Sequence, residues 1–432
     1  MLTRRWPPKR CPRRLALYLT SNLDEFAVLL SSLEGSVVEA SALALLILAY
    51  QLPAAALLLG RLLQGPTRQL PLQPQRPTLD LLGAVSIIVP TLNEVHRVGP
   101  CLAGLRRQTY EVREILVVDS SSQDGTPDLV KQIAAQDPRV RLLNDEPLPL
   151  DWVGRPWALH TGFCHSAAAS RWILGIDADT RPQPGLVAAL VLAAEAQGYD
   201  LVSLAPRFVL KQAGELWLQP ALLMTLIYRF GPAGSRFAPP ERVMANGQCF
   251  LCRRSLLAAM DGYSSARQSF CDDVTLARQA AARGAKVGFL DGANLLQVRM
   301  YEGAQETWQE WGRSLDLKDA ASAAQKWGDL WFLSAVQGLP WLLAPILGIV
   351  WGLGGQSVTL AIALGLNLSL IVIRLGLMLA IAPSYDLSQA QGKWAFWLSP
   401  LADLLAVYRI YLSSIQTPTQ WRGRSYAGFE QG

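Results

Sequence analysis

The sequence predicts an α/β fold with a mostly parallel sheet that is covered by helices on both faces. Short apolar runs alternate with helical segments from residue 85 onward, and the connections between them are short. Parallel strands need such helical crossovers, and strands buried on both faces are apolar along their length. The predicted strands are Val85–Pro90, Glu114–Asp119, Val140–Leu143 and Trp172–Ile176, and the predicted helices between them are Val98–Gln108, Asp124–Ala135 and Trp157–Ala169.

The chain as a whole is too apolar for an ordinary soluble enzyme. Of its 432 residues, 51% are hydrophobic, and the mean hydropathy is +0.21. Pro340 and Pro345 interrupt one of the apolar stretches and make it a candidate re-entrant hairpin, so the topology stays open. The stretches with the length of a membrane-spanning helix are Ala40–Leu63, Leu330–Leu353, Val358–Ala382 and Trp394–Ile415.

These features divide the chain into segments of different character. The predicted segments are a basic lead (1–35), a membrane helix (36–64), a Pro- and Gln-rich linker (65–80), an α/β domain (81–300), an interfacial segment (301–328), a membrane region of about three helices (329–416) and a tail (417–432). Tryptophans among charged residues in Trp308–Trp327 predict an amphipathic helix in the membrane interface, with an ordinary surface helix as the alternative. The net charge of +5 is modest and the basic residues form no stripe, which argues against a nucleic-acid partner.

Polar residues follow the predicted strands at the point where each strand ends. Ligands of an open parallel sheet bind at the carboxyl ends of its strands, so Pro90–Glu94, Asp119–Thr126 and Asp177–Asp179 are the candidate site. The two carboxylates of Asp177 and Asp179 predict a divalent cation, with a solvated turn as the alternative. Motifs of dinucleotide redox enzymes, P-loop ATPases and α/β-hydrolases are missing from the sequence.

The same three segments, in this order, resemble the inverting glycosyltransferases of family 2, which have a GT-A fold. The motifs are Val-Pro-Thr-Leu-Asn-Glu (89–94), Val-Val-Asp-Ser-Ser-Ser-Gln-Asp-Gly-Thr (117–126) and Asp-Ala-Asp (177–179), and the resemblance covers residues 85–320. It implies a nucleotide-sugar donor and Mg²⁺ or Mn²⁺, which would offset the charge of the departing diphosphate. The donor-binding residues it implies are Pro90, Thr91, Glu94, Asp119 and Asp177, and the metal ligands are Asp177 and Asp179.

The resemblance also identifies a catalytic base. In Ser269–Ala277, Asp273 occupies the base position and Asp272 replaces the family's usual Glu. An inverting transfer needs a group that takes the proton of the acceptor hydroxyl. The alternative is that both acids are helix-starting charges favoured by the helix dipole. Arg155 stands where membrane-bound relatives have Lys, which implies a bidentate contact with donor phosphate.

Residues on the acceptor side are identified by weaker matches. Asn246 and Gln248 resemble an acceptor-side loop of the family. Trp311 and Arg313 lie in a segment that departs from the Gln-x-x-Arg-Trp spacing of processive and ceramide-type members. Their alternative role is anchoring at the membrane interface, and the departure argues against a processive polymerase.

Four further segments, 247–254, 298–303, 397–403 and 421–424, resemble the cyanobacterial carotenoid glycosyltransferases of myxoxanthophyll synthesis. That resemblance implies a lipophilic acceptor, the 2′-hydroxyl of a myxol-type carotenoid, taken from the lipid bilayer. We expect a multi-pass integral membrane protein whose catalytic domain faces the cytoplasm. The alternatives are a ceramide, diacylglycerol or hopanoid acceptor, or a membrane scaffold that binds nucleotide sugars without catalysis. Arg374 and Asp403 lie inside apolar stretches, and we expect them to pair.

Overall fold

The computed structural model describes residues 39–63, 65–235, 239–311, 315, 317–416, 420–421 and 424–425. The predicted basic lead and Arg313 lie outside these residues. The strands are β1 (Val85–Thr91), β2 (Val112–Asp119), β3 (Val140–Asn144), β4 (Trp172–Ile176), β5 (Thr180–Pro182), β6 (Leu201–Ala205), β7 (Arg207–Val209), β8 (Cys249–Arg253), β9 (Val287–Asp291), β10 (Leu296–Val298), β11 (Tyr385–Asp386), β12 (Gln420–Trp421) and β13 (Arg424–Ser425).

The helices flank the sheets, and the long apolar ones lie before and after the α/β part of the chain. They are α1 (Glu39–Thr67), α2 (Val98–Arg106), α3 (Thr126–Ala134), α4 (Gly154–His165), α5 (Leu186–Gln197), α6 (Ala213–Phe230), α7 (Arg254–Ala259), α8 (Asp272–Ala282), α9 (Gly303–Glu306), α10 (Ala323–Leu333), α11 (Pro340–Gly352), α12 (Val358–Ile381), α13 (Trp394–Trp397) and α14 (Asp403–Ile415).

The main sheet confirms the predicted α/β class. Its seven strands have the order β3-β2-β1-β4-β8-β6-β9. The strand β8 is antiparallel to both of its neighbours, and the other pairs are parallel. All four predicted strands are present as β1 to β4, and their carboxyl ends lie at one edge.

Both faces of the sheet are buried, which explains the continuous apolar runs. Ile87 and Ile88 of β1 are both fully buried although they point to opposite faces. Ile87 lies in a core with residues of α2 and α5, and Ile88 lies in a core with residues of α4 and α8. A Cβ on Gly162 of α4 would lie 2.4 Å from Cγ2 of Ile88. The glycine therefore allows α4 to lie directly on the sheet.

A second, four-stranded sheet connects the α/β domain to the apolar helices. Its order is β11-β7-β10-β5. The strand β11 follows α12 in the chain and pairs with β7, with Tyr385 opposite Phe208. The sequence did not predict this strand, since two residues carry too little pattern to be recognised.

Within the described ranges, two helices are long and apolar enough to cross a membrane, Glu39–Thr67 and Val358–Ser384. The segments Ala323–Gly338 and Pro340–Gly352 form a pair bent by 51°, which is a third span if the pair is continuous. Pro340 begins the second segment of this pair, as the predicted interruption requires. On α12, Val358 and Val372 are 77% and 67% exposed, so its outer surface is apolar.

Two predicted helices differ in the structure. The predicted span Trp394–Ile415 is divided into α13, a turn at Ser399–Ala402, and α14 of 13 residues, which at 1.5 Å per residue is too short to cross a bilayer. Pro400 lies at the break and donates no backbone hydrogen bond. The predicted interfacial helix Trp308–Trp327 is also interrupted, because Leu317 has a φ of 58° and α10 begins only at Ala323.

The expected pairing of Arg374 with Asp403 is confirmed. Nε of Arg374 donates to Oδ2 of Asp403 at 2.7 Å, and Nη2 donates to Oδ1 at 3.0 Å. The two side chains are 1% and 0% exposed. Gln337 also donates to Asp403, at 3.0 Å, so that the buried carboxylate has several donors. The pair joins α12 to α14.

Candidate active site

The turn Asp177–Asp179 lies at the carboxyl end of β4, between β4 and β5. The amide and hydroxyl of Thr180 donate to the carbonyl of Asp177 at 3.2 and 2.7 Å. These bonds close the turn, and both carboxylates lie in the wall of a large cavity. Oδ1 of Asp179 is buried and has no hydrogen-bond partner within the described part of the chain.

Arg155, near the beginning of α4, joins this turn to the other acids. Its Nε and Nη2 donate to Oδ1 of Asp177 at 3.0 and 2.9 Å. Its Nη1 donates to Oδ2 of Asp272, and Nη2 also donates to the carbonyl of Gly247 at 2.7 Å. All three nitrogens of the guanidinium therefore have partners within the protein. A phosphate contact by Arg155 stays a prediction.

The loop Asn246–Gln248 brings α8 next to β4. Ile176 pairs with Cys249, the first residue of β8, so the loop before β8 lies beside Asp177. The amide of Gly247 donates to Oδ2 of Asp273 at 2.6 Å. The side chain of Asp272 is buried, whereas that of Asp273 is partly exposed in the cavity.

Burial and neighbouring charges perturb these groups. Burial alone lowers the pKa of Arg155, but the carboxylates of Asp177 and Asp272 outweigh this effect and raise it, so the guanidinium stays charged. Burial raises the pKa of Asp272 and of Asp273, and Arg155 opposes both shifts. Burial and the Asp177 carboxylate raise the pKa of Asp179 to about 7. The four acids outnumber the guanidinium groups of Arg155 and Arg97 that line the same cavity, and the deficit of positive charge suits a bound cation.

The remaining strand-end residues lie on the other side of the turn. Pro90, Thr91 and Glu94 line a small cavity of about 50 Å³ that Arg155 and Asp177 also border. Asp119 is buried, and among the described residues it lines neither the small nor the large cavity. Thr91 Oγ1 donates to Asp119 at 3.0 Å, so the two predicted residues contact each other.

The large cavity has a volume of about 1040 Å³, and its wall contains both charged and apolar side chains. The charged ones include the four acids and Arg155. The apolar ones include side chains of α6 and of the segment around Trp311. The apolar wall is the set Phe208, Leu223, Leu226, Met300, Trp311 and Leu315.

The predicted acceptor-side residues line this cavity where they are described. Asn246 and Gln248 lie in its wall, with Asn246 Nδ2 donating to Gln248 Oε1 at 3.1 Å. Trp311 is 6% exposed and packs on Phe208, with 5.9 Å between the ring centroids. Trp311 therefore belongs to the protein interior instead of the membrane interface.

Sequence reasoning missed one polar wall of the cavity. The wall lies near α9 and consists of Glu302, Gln305, Glu306, Gln309 and Glu310. Their spacing of three and four residues places them on one helical face, a signal present in the sequence. These residues were not recognised as part of a site because the segment was interpreted as an interfacial helix.

The residues present fit a divalent cation whose coordination is completed by its substrate. Asp177 and Asp179 offer the hard oxygen ligands that Mg²⁺ and Mn²⁺ prefer, and Oδ1 of Asp179 lacks a protein partner. Among the described residues, no group of three or more His, Cys, Asp or Glu side chains is arranged to hold a metal by itself. Such a site leaves coordination positions for phosphate oxygens and water.

Part of the chain is similar to known glycosyltransferases. Residues 86–260 match the family model described as "Glycosyl transferase family 2". The chain is 24% identical over 362 residues to the 4,4′-diaponeurosporenoate glycosyltransferase of Staphylococcus aureus, covering 80% of this chain and 88% of that protein. It is 23% identical over 242 residues to the protein of that name from Staphylococcus haemolyticus, covering 56% of this chain and 63% of the relative, less than two thirds of its length.

Among the solved structures that match this chain is a mannosyltransferase of Pyrobaculum calidifontis in complex with GDP-Man and Mn²⁺. The two chains are 20% identical, with a TM-score of 0.47, and the match covers 89% of this chain and 100% of the other. Residues 86–260, which match this family model, contain the first strands of the main sheet and the Asp-Ala-Asp turn at the end of β4. This part of the chain is therefore similar to the domain of family 2 glycosyltransferases, and its fold is the predicted α/β fold.

Proposed function

We propose that this enzyme transfers a sugar, with inversion, from a nucleotide-sugar donor to the hydroxyl of a lipophilic acceptor. The observation that carries the proposal is a cavity of about 1040 Å³ whose wall, among the described residues, contains both the acids and a set of large apolar side chains. The acids suit a charged donor with its cation, and the apolar side chains suit a lipid-like molecule. Both reactants would therefore meet at the acids.

The donor is proposed to bind at the strand ends. Pro90, Thr91, Glu94 and Asp119 would surround the nucleoside, and Asp177 and Asp179 would hold Mg²⁺ or Mn²⁺ at the diphosphate. The cation would neutralise charge that develops on the departing diphosphate. The unpartnered Oδ1 of Asp179 supports this assignment.

Asp273 is proposed as the catalytic base. Its carboxylate would take the proton of the acceptor hydroxyl as the acceptor oxygen bonds to the anomeric carbon. The bond from that carbon to the diphosphate breaks, and its electron pair leaves with the nucleoside diphosphate. The amide of Gly247 fixes one carboxylate oxygen, and Asp273 is more exposed in the cavity than Asp272. Asp272 and Arg155 would position Asp177 and the beginning of α8.

The acceptor is proposed to be a carotenoid that arrives from the bilayer. Two relatives have names that include a carotenoid-derived acceptor, 4,4′-diaponeurosporenoate. The apolar wall includes Leu223 and Leu226 of α6, and α6 shares a hydrophobic core with α1, α12 and α14. We propose that α1 and α12 cross the membrane, that the catalytic domain faces the cytoplasm, and that the acceptor group is a hydroxyl as in myxol.

Pigment and lipid analysis of a strain that lacks the gene tests this proposal. We expect loss of a glycosylated carotenoid and accumulation of its hydroxylated precursor. The wild-type gene should restore the product, and a gene that encodes Asp273→Asn should not. A changed glycolipid profile with normal carotenoids would contradict the carotenoid assignment and leave glycosyl transfer intact. Normal carotenoids and glycolipids together would contradict the proposed reaction.

A further inference from the structure

Two arginines occur among the described residues that line the large cavity, Arg155 and Arg97. Their surroundings differ. All three guanidinium nitrogens of Arg155 have short contacts within the protein. Nη2 of Arg97 lies 3.8 Å from Oε1 of Glu306, at the outer limit of an ion pair, and the two side chains are 35% and 34% exposed.

The backbone places Arg97 beside the proposed donor site. Arg97 directly precedes α2, and its amide donates to the carbonyl of Glu94 at 2.9 Å. Glu94 belongs to the strand-end segment that the sequence identified, and it also borders the small cavity. The segment thus delivers an arginine side chain to the same cavity as the Asp-Ala-Asp turn.

Arg97 and both carboxylates of that turn are in the wall of the same cavity. A diphosphate bound at Asp177 and Asp179 would therefore share this cavity with the guanidinium of Arg97.

Glu306 holds a position that does not depend on Arg97. Its Oε2 accepts a hydrogen bond from the amide of Glu302 at 2.7 Å. Glu215, which is fully buried, accepts from the amide of Gly303 at 3.0 Å and fixes the same segment to α6. Glu306 can therefore lose Arg97 as a partner without losing its place. A partly exposed pair at 3.8 Å contributes little, a factor of about five at most in an equilibrium constant.

We propose that Arg97 binds the diphosphate of the donor and that Glu306 is its counter-ion when the donor is absent. This inference rests on the proposed function. A diphosphate carries more charge than one carboxylate and matches the planar fork of a guanidinium. Donor binding therefore exchanges a weak ion pair for a stronger one, and Arg97 joins the acid–metal side of the cavity to the polar wall near α9.

The test is calorimetric binding of UDP, GDP and dTDP, with Mn²⁺, to the full chain in detergent. The variants are Arg97→Gln, Glu306→Gln and the double variant. The matched control is Arg253→Gln, because Arg253 pairs with Asp200 at 3.2 Å with side chains 35% and 37% exposed, outside this cavity. Gln at position 306 keeps an oxygen that can accept from the amide of Glu302.

We expect Arg97→Gln to weaken diphosphate binding about tenfold or more, because a charge-assisted contact is lost. Binding of the corresponding monophosphate should weaken less. Glu306→Gln should tighten diphosphate binding by up to about fivefold. The double variant should bind like Arg97→Gln alone, and Arg253→Gln should bind like the wild type.

Two results would overturn the inference while the proposed function stands. One is wild-type affinity in Arg97→Gln, and the other is weaker binding in Glu306→Gln, which would make Glu306 a ligand instead of a counter-ion. A wild-type protein that binds none of the three diphosphates would overturn the proposed donor site itself. The binding data therefore distinguish a failure of the Arg97 inference from a failure of the proposed donor site.

Discussion

Arg155 donates two hydrogen bonds to the same oxygen of Asp177, from Nε at 3.0 Å and from Nη2 at 2.9 Å. The third nitrogen contacts Asp272, so one guanidinium connects the end of β4 to the beginning of α8. In this arrangement the arginine positions carboxylates. Its geometry is one that a lysine cannot reproduce.

We therefore expect Arg155→Lys to lower turnover about tenfold to a hundredfold, as for the loss of charged hydrogen bonds worth about 1.5–3 kcal/mol. The ammonium keeps the charge but cannot contact Asp177, Asp272 and the Gly247 carbonyl together. Initial rates of sugar transfer measure the effect. The control is Arg106→Lys, which changes a partly exposed arginine paired with Asp137. Equal rates for wild type and Arg155→Lys would refute the positioning role.

Asp273→Asn should lower turnover about a hundredfold to ten-thousandfold, the usual contribution of a general base. The amide oxygen of Asn can still accept from the amide of Gly247, so the loop and donor binding should be preserved. Turnover and nucleoside diphosphate affinity are measured on the same preparation. Wild-type turnover in Asp273→Asn would exclude Asp273 as the base.

Asp179→Ala should weaken binding of the nucleoside diphosphate in the presence of Mn²⁺, because it removes a proposed metal ligand. A chelator should weaken binding to the wild type in the same way and should have little further effect on the variant. The control is Asp128→Asn, on the exposed surface of α3. Affinity that is insensitive to both chelator and substitution would contradict the metal assignment.

The Arg374–Asp403 pair predicts a distinct stability pattern. Arg374→Met leaves a buried carboxylate without its cation and should lower the free energy of unfolding by about 3–5 kcal/mol. The double variant Arg374→Met/Asp403→Leu should recover part of this loss, because neither charge is then buried alone. Thermal unfolding in detergent provides the comparison. A double variant less stable than either single variant would contradict the expectation that the unpaired buried charge causes the loss of stability.

The stability of the domain should depend on the protonation of His160. Burial lowers the pKa of His160 from 6.5, with Asp261 opposing, and its Nδ1 accepts from the amide of Tyr263 at 3.3 Å. The unfolded chain therefore binds this proton more readily. The contribution to stability is complete above pH 6.5 and is lost as the pH falls through 6.5 toward the folded-state pKa.

Thermal unfolding between pH 8 and pH 5 tests this dependence, since these values bracket the ordinary histidine pKa of about 6.5. His160→Gln keeps an acceptor for the amide of Tyr263 but does not titrate. Its melting temperature should fall less over this range than that of the wild type. Parallel curves for the two proteins would remove His160 as the cause.

The local sequence pattern was sufficient to predict those site residues whose role follows from their position at the end of a strand. The Asp177–Asp179 turn could be placed because an apolar run ends there, and the pairing of Arg374 with Asp403 could be expected because charges in apolar stretches need partners. Arg97 and Glu306 could not be linked, because 208 intervening residues separate them and only packing brings α9 toward α2. Periodicity also could not tell whether Trp311 faces lipid or the protein core.

The pairing of β11 with β7 limits how far the chain can be shortened without damage to the large cavity. Tyr385 follows α12 in the chain, yet it lies opposite Phe208 and packs on it, with 5.8 Å between the ring centroids. Phe208 is part of the apolar cavity wall. A fragment that ends near residue 300 would therefore lack an edge strand, Trp311 and the support of Phe208. The chain after α12 therefore supports the wall of the large cavity, and the folded unit extends well beyond residues 86–260, which match the family model.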